Sequence, residues 1–232
     1  ICLRAAEVLI SERLALRQVA RSEGRRNECF RCSRVKRYTK KMKGLQEINE
    51  YWQKHCTCDL KETATRAVFG HGNPHAEVVF IGEAPGKKED ETGVPFVGAA
   101  GKFLDEMLGS IQMKREDIYI TNIVKYRPPN NRDPLPKEKD ACKEWLHEEL
   151  NTIAPKLIVF LGRHSMNHFF PELKISEAHG VLVIKMIPGI NTKYFLPLYH
   201  PAAALYNGGL REDLLKDFKK IHLVQKEVGE KK

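Results

Sequence analysis

No stretch of this sequence carries the roughly 18 consecutive apolar residues that a bilayer-spanning helix requires, and no charged-then-apolar leader opens it. No membrane partner is therefore expected. Cysteine is scarce, with six in 232 residues, at positions 2, 29, 32, 56, 58 and 142. A chain this long with so few does not read as a secreted disulfide scaffold. The close pairs Cys29-x2-Cys32 and Cys56-x-Cys58 suit metal or cluster ligands in a reducing, intracellular compartment. Internal repeats and low-complexity tracts are missing too. So are the glycine motifs that grip phosphate. After Gly101 and Lys102 a P-loop needs Ser or Thr where Phe103 stands, and its upstream glycine is Phe96. The turn "GEAPGKKED" does not supply G-x-G-x-x-G, and Glu83, Glu89, Asp90 and Glu91 would repel a phosphate at close range. No nucleotide cofactor is expected. The chain opens on Ile1 rather than Met, so residues upstream of it are expected.

What is present is a composition 42% hydrophobic and 30% charged, that of a soluble globular protein with one substantial core and an appendage. The net charge of +9 is unevenly spread. Residues 1–50 hold 13 Lys and Arg against 6 Asp and Glu, and the remainder 26 against 24. The excess peaks in "RRNECFRCSRVKRYTKKMK", residues 25–43. Two readings stay open for this run: a solvated face, or a counterion-releasing contact with nucleic acid phosphates.

The first 24 residues read as an amphipathic helix, and "GLQEINEYWQKH" as a second. From about residue 66 the pattern changes. Four apolar runs, "AEVVFIG" (76–82), "DIYITNIV" (117–124), "KLIVFLG" (156–162) and "KYFLPLYH" (193–200), have the length and β-branched or aromatic content of buried parallel strands. Helical stretches lie between them at 99–110, 137–151 and 163–170, and "REDLLKDFKKIHLVQKE" closes the chain. This alternation predicts an α/β protein, a three-layer α/β/α sandwich around a mostly parallel four-stranded sheet, with right-handed crossovers. The expected division is a basic helical extension over 1–50 and an α/β/α domain over 51–232.

Ligands of open α/β sheets sit beyond the carboxyl ends of the strands. Arriving there are Glu83, Asn122, Gly162 and His200, one from each predicted strand. An acid, an amide and an imidazole are thus expected to share one crevice.

Those strand ends carry "GEAPGKKEDETGVPFVGAAG", "YITNIVKYRPPNNRDPLP" and "HPAAAL", with "VFGHGNP" upstream. Together they closely resemble the family 4 uracil-DNA glycosylases, the iron–sulfur branch of that superfamily, from roughly His55 to the C-terminus. The resemblance implies a monofunctional glycosylase that hydrolyses the N-glycosidic bond of deoxyuridine in DNA and leaves an abasic site, with uracil-containing DNA as partner and the chain acting as a monomer. Phe96 would be the floor on which the extruded base stacks. Asn122 would accept from uracil N3–H and donate to O4, a pattern that cytosine reverses. His200 would face O2 and stabilise charge on the departing base. Glu83 would place or activate the attacking water. Beside it stands Ala84, where family 1 enzymes use an aspartate, and backbone N–H groups of 83–86 can contact uracil oxygens. Leu205 would be the wedge that fills the gap left by the flipped base, and Arg127 and Arg132 would meet DNA phosphates. Two alternatives remain at this point: a nucleic-acid-binding relative with little turnover, and a glycosylase for another deaminated base such as hypoxanthine.

The resemblance also implies a 4Fe–4S cluster on four cysteines. Of the four matching positions, this chain keeps Cys58 and Cys142; Tyr126 takes a third, and the fourth falls on His55, with Cys56 beside it. Several outcomes stay open. A cluster can sit on Cys56, Cys58 and Cys142 with an unusual fourth ligand such as His55, or be completed by Cys29 or Cys32. Cys29, Cys32, Cys56 and Cys58 can instead hold zinc. Or no metal is bound, and Tyr126 packs where the cluster would lie.

Overall fold

The computed structural model describes residues 44–230, with side chains through residue 226. The predicted first helix, the basic run over 25–43, Cys2, Cys29 and Cys32 lie outside the described residues. All described residues lie within one compact unit, Lys43–Lys232. Its first helix, α1 (Leu45–His55), runs unbroken across residues 50 and 51, where the division between extension and domain was expected.

The four predicted runs form β2 (Val78–Gly82), β3 (Tyr119–Asn122), β4 (Leu157–Leu161) and β6 (Tyr194–Leu198), and every residue of each is buried. Two-residue strands β1 (His71–Gly72) and β5 (Val183–Ile184) join at the edges. The sheet has six strands in the order β1-β3-β2-β4-β6-β5, its four central strands parallel and its edges antiparallel. The edge strands are too short for a period-2 pattern to be visible in sequence. Pro197 is tolerated in β6 because β5 ends before reaching it; the Gly180 N–H donates to its carbonyl at 2.8 Å instead.

Successive strand residues point to opposite faces, so each strand feeds two layers. Phe80, Val159 and Leu196 pack against Phe103, Leu104 and Met107 of α3 (Ala99–Ser110) and Leu214, Phe218 and Ile221 of the closing helix α8 (Gly209–Glu230). On the other face Phe160 stacks on Phe195 and Phe169 at ring distances of 5.7 and 5.0 Å. Phe169 ends α5 (Arg163–Phe169), and α4 (Pro136–Ile153) supplies buried Trp145, Leu146 and Leu150. Short helices α2 (Lys87–Thr92), α6 (Ile175–Ala178) and α7 (Ala203–Tyr206) lie in the connecting loops. This is the expected α/β/α sandwich.

Strand order fixes where a ligand goes. From β2 the chain moves outward to β3, then crosses back to β4 and β6 on the other side. The point of reversal opens a crevice at the carboxyl ends of the strands.

Candidate active site

Gly82 ends β2 in register with Asn122 at the end of β3. A Cβ on Gly82 would lie 2.6 Å from the Phe96 ring carbon Cζ and closer still to Asn122 Oδ1. Only a glycine lets the amide and the ring close over this strand end. The Phe96 ring in turn lies 5.9 Å from the His200 ring, tilted by 35°. Gly162, after β4, has a positive φ of 98°, and a Cβ there would press on His200 Cβ at 2.9 Å. The side chains of Phe96, Asn122 and His200, 26 to 104 residues apart in sequence, thus meet around two glycines. Beside them is a cavity of about 210 Å³ between Glu83, Gly162, His164, Tyr199 and His200.

Phe96 adopts φ 54°, a left-handed conformation that costs an aromatic residue on the order of 1–3 kcal/mol and persists only when its surroundings enforce it. Arg115 enforces it: its Nη2 donates to Phe96 O at 2.5 Å, its Nη1 to Pro95 O at 3.3 Å, and its Nε to Asp105 Oδ1 at 2.5 Å. On the other side Glu89 Oε1 accepts from the N–H groups of Val97 and Gly98 at 2.9 and 2.8 Å, capping α3 with a negative charge. Asp90 is buried and accepts from Thr65 N and Oγ1 at 2.9 and 2.8 Å. Two carboxylates of the acidic loop therefore face inward, Glu89 holding the loop's own backbone and Asp90 tying the loop to Thr65.

Asn122 is 2% exposed, and its Oδ1 has no hydrogen-bond partner. An orphaned acceptor costs about 1–3 kcal/mol, recovered when a donor arrives. Its backbone is tied down: Lys125 Nζ donates to Asn122 O at 3.0 Å, to Glu149 Oε2 at 2.6 Å and to Thr121 Oγ1. Tyr119 and Thr121 donate to the same carboxylate at 2.9 and 3.0 Å. This buried network sits under the end of β3.

The protonation of His200 follows from one contact. The Ala202 N–H donates to its Nδ1 at 3.1 Å, so Nδ1 presents a lone pair and the proton of the neutral ring is on Nε2. Burial, with a smaller contribution from His164, lowers the pKa to about 4. At neutral pH the ring is an uncharged donor. Burial also raises Glu83 to about 7, helped by the charge of Asp133 and opposed by Lys139 and Arg163. Its Oε1 is buried without a hydrogen bond.

Ala84 is half-buried next to Glu83. Leu205 is 49% exposed on α7, and Tyr206 beside it is 91% exposed. Arg127 donates through Nε to Asn131 Oδ1 at 2.7 Å. Arg132 grips buried Glu138 with both terminal nitrogens, at 2.9 and 2.7 Å. Both arginines thus brace the loop "YRPPNNR". Sequence reasoning passed over Arg115, Glu149, Asp133 and His164. His164 alone had a signal: it follows β4 by three residues and so falls at a strand's carboxyl end.

A four-cysteine cluster requires four thiolates. The described residues bring three cysteines to one corner. Cys58 N–H donates to Cys56 Sγ at 3.3 Å. Cys58 and Cys142 share a hydrogen bond that draws Cys58 below the ordinary thiol value, while the same bond and burial push Cys142 up. In the fourth place is Tyr126, 3% exposed and stacked on Trp52 at 5.4 Å, its phenol pushed up to about 12 by burial and the neighbouring cysteines. His55 is exposed, donating through Nδ1 to Tyr51 O at 2.7 Å and stacking on the Tyr51 ring at 4.0 Å. Among the described residues the set does not fit a four-cysteine cluster.

A reversed-order parallel sheet with an orphaned amide, an aromatic ring and a neutral imidazole gathered at its strand ends defines an α/β crevice placed where open sheets take their ligands. The sequence profile of the Uracil DNA glycosylase superfamily matches residues 69–221, and the chain belongs to that superfamily. It is 48% identical over 185 residues to the type-4 uracil-DNA glycosylase of Archaeoglobus fulgidus, covering 78% of this chain and 92% of that one. To the type-4 enzyme of Thermotoga maritima it is 40% identical, covering 80% and 97%. To that of Sulfurisphaera tokodaii it is 45% identical, covering 78% and 84%. Within the superfamily the chain belongs to the type-4 branch.

Proposed function

We propose that this chain is a monofunctional uracil-DNA glycosylase that hydrolyses the N-glycosidic bond of deoxyuridine and leaves an abasic site. The observation that carries the reading is the meeting of Asn122, Phe96 and His200 around Gly82 and Gly162, with Asn122 Oδ1 still wanting a donor.

Chemistry on a stacked base requires that it first leave the helix. Phe96, in its enforced backbone, offers a fixed ring for the extruded pyrimidine. Asn122 Oδ1 accepts from N3–H and Nδ2 donates to O4. Cytosine presents the opposite pattern and leaves two buried groups unpaired. As the bond to C1′ lengthens, the sugar becomes cationic and the base anionic. His200 donates its Nε2–H to O2, where that negative charge collects, and does so without carrying a charge of its own. One such donor is typically worth 10²–10³ in rate. Water then attacks C1′, and Glu83 takes its proton; an acid with pKa near 7 suits that task. Exposed Leu205 enters the duplex behind the flipped base. Arg127 and Arg132 flank the phosphates, and the basic excess of residues 1–50 adds to the attraction for DNA. The enzyme works as a monomer in a reducing, intracellular compartment. Metal analysis of the purified chain reads the cysteine corner directly: about four irons per chain would reveal a cluster.

The test is incubation with single- and double-stranded oligonucleotides containing one uracil, followed by alkali. Strand breaks at the uracil are expected with the native protein, and a loss of at least about 100-fold with Asn122→Ala and His200→Ala. Tight binding without breaks would overturn the reading.

A further inference from the structure

The loops around Glu83 hold a second acid and an imidazole to which the reaction as described assigns no role. His164, on the first turn of α5, places Nδ1 3.4 Å from Glu83 Oε1 and Nε2 3.3 Å from Asp133 Oδ2. Asp133 lies in the loop before α4 and is largely exposed, with 64% of its side chain accessible; Glu83 is largely buried, at 21%. The imidazole thus stands between an acid facing solvent and an acid facing the crevice.

Its tautomer can be read from a neighbour. Arg163 Nε donates to His164 Nε2 at 3.0 Å, so Nε2 offers a lone pair and the proton of the neutral ring is on Nδ1. That proton points toward Glu83 Oε1, the buried oxygen that lacks a partner. At 3.4 Å the pair is a few tenths of an ångström too long for an aligned hydrogen bond. Catalytic hydrogen bonds commonly have this length before substrate binds and shorten when the site closes.

We propose that His164 is a positioning residue for the general base: its Nδ1–H closes onto Glu83 Oε1, leaving Oε2 aimed at the attacking water, with the Arg163 Nε–H holding the ring from behind. The inference rests on the glycosylase reading. In the step itself a water O–H bond breaks and its proton passes to Glu83 Oε2 as the water oxygen bonds to C1′; His164 keeps its proton throughout. Carboxylate, imidazole and guanidinium form a chain in which the base is oriented by a second group and that group by a third.

The charged and titratable groups facing this pair are Asp133, Lys139 and Arg163 around both members, with His200 beyond the ring. Burial keeps the imidazole below its ordinary value, with Arg163 and Lys139 adding to the effect against Asp133, so the ring stays neutral where the enzyme works. A donor on Oε1 favours the ionised form of Glu83. Removing it should move the acid limb of activity toward higher pH.

The experiment compares native enzyme, His164→Phe and His164→Gln in single-turnover cleavage of a uracil oligonucleotide between pH 5.5 and 9. It is joined by ¹³C NMR titration of labelled glutamate carboxyls, with Glu83→Gln identifying the Glu83 signal. For a base near pH 7 the native rate ratio between pH 8 and pH 6 is about 10. The expected result is a ratio several-fold larger in His164→Phe, a matching upward move of the Glu83 signal, and return toward native behaviour in His164→Gln, whose amide can still donate. An unmoved limb and carboxyl signal in His164→Phe, with the native enzyme active, would overturn the role of His164 and leave the glycosylase reading standing. A limb that moves while the Glu83 signal stays put would also overturn it, because the effect would then run through His200. A native enzyme that makes no abasic sites would instead remove the reading beneath it.

Discussion

Gly82→Ala is the sharpest test of the crevice, because it adds one methyl group where the amide and the ring close together. The new Cβ would lie 2.6 Å from Phe96 Cζ and nearer still to Asn122 Oδ1. Carbon atoms in good contact sit about 3.5–4.0 Å apart, so the ring must retreat by about 1 Å or the amide must swing away. Neither is free to do so. The backbone of Phe96 is pinned by Arg115 and Glu89, and that of Asn122 by Lys125. Overpacking of this kind costs about 1–3 kcal/mol of stability. A misplacement of about 1 Å in the reacting geometry costs on the order of 10² in rate, or about 2.7 kcal/mol of transition-state stabilisation. Single-turnover cleavage of a uracil oligonucleotide should therefore fall about 100-fold, with the melting temperature lowered only modestly. Gly109→Ala provides the control. Nothing lies within 4 Å of its added Cβ, and the site is inside α3, so it should leave the rate alone and stabilise by about 0.5–1 kcal/mol. A fully active Gly82→Ala enzyme would refute the packing of Asn122 and Phe96 described above.

Other consequences follow from the same structure. Lys125→Met strands the charge of buried Glu149 and should cost about 3–5 kcal/mol in urea unfolding, more than the double variant Lys125→Met/Glu149→Leu. His168, lowered to about 4 by burial and nearby cations, binds its proton more readily unfolded than folded. The native protein should therefore lose stability as pH falls from about 6.5 to 4, and His168→Leu should flatten that slope in denaturant midpoints. Removing residues 1–42 takes away most of the basic excess while sparing α1. It should weaken oligonucleotide binding and reduce the salt dependence of the dissociation constant; an unchanged salt slope would make the basic segment a bystander.

The layered architecture and the four central strands were legible in sequence because each strand is buried on both faces and reads as an unbroken apolar run. The positions of Asn122 and His200 were legible because strand ends in such a sheet have a known destination, whereas Phe96, 14 residues beyond the end of β2, was picked out only by the family resemblance. What holds them was not. Arg115 reaches back to Phe96 across 19 residues, and Glu149 reaches Tyr119 across 30. Such partnerships leave no periodic trace, and an arginine in a turn looks like any solvated charge. The inward fold of Glu89 and Asp90 escaped notice for a related reason: an acidic run advertises repulsion, whereas the N–H groups it satisfies are invisible in sequence. Tyr126 was visible as a departure from the cysteine pattern, but its partner in packing, Trp52, lies 74 residues upstream.

The crevice draws one group from the end of each parallel strand, and those strands become neighbours only through crossovers of tens of residues. Long-range pairing of this kind is slow to form and is rewarded late in folding. Catalytic competence should consequently be among the last properties regained on refolding, trailing the recovery of helical circular dichroism. No fragment that lacks β6 should turn over substrate, however well its remaining helices form.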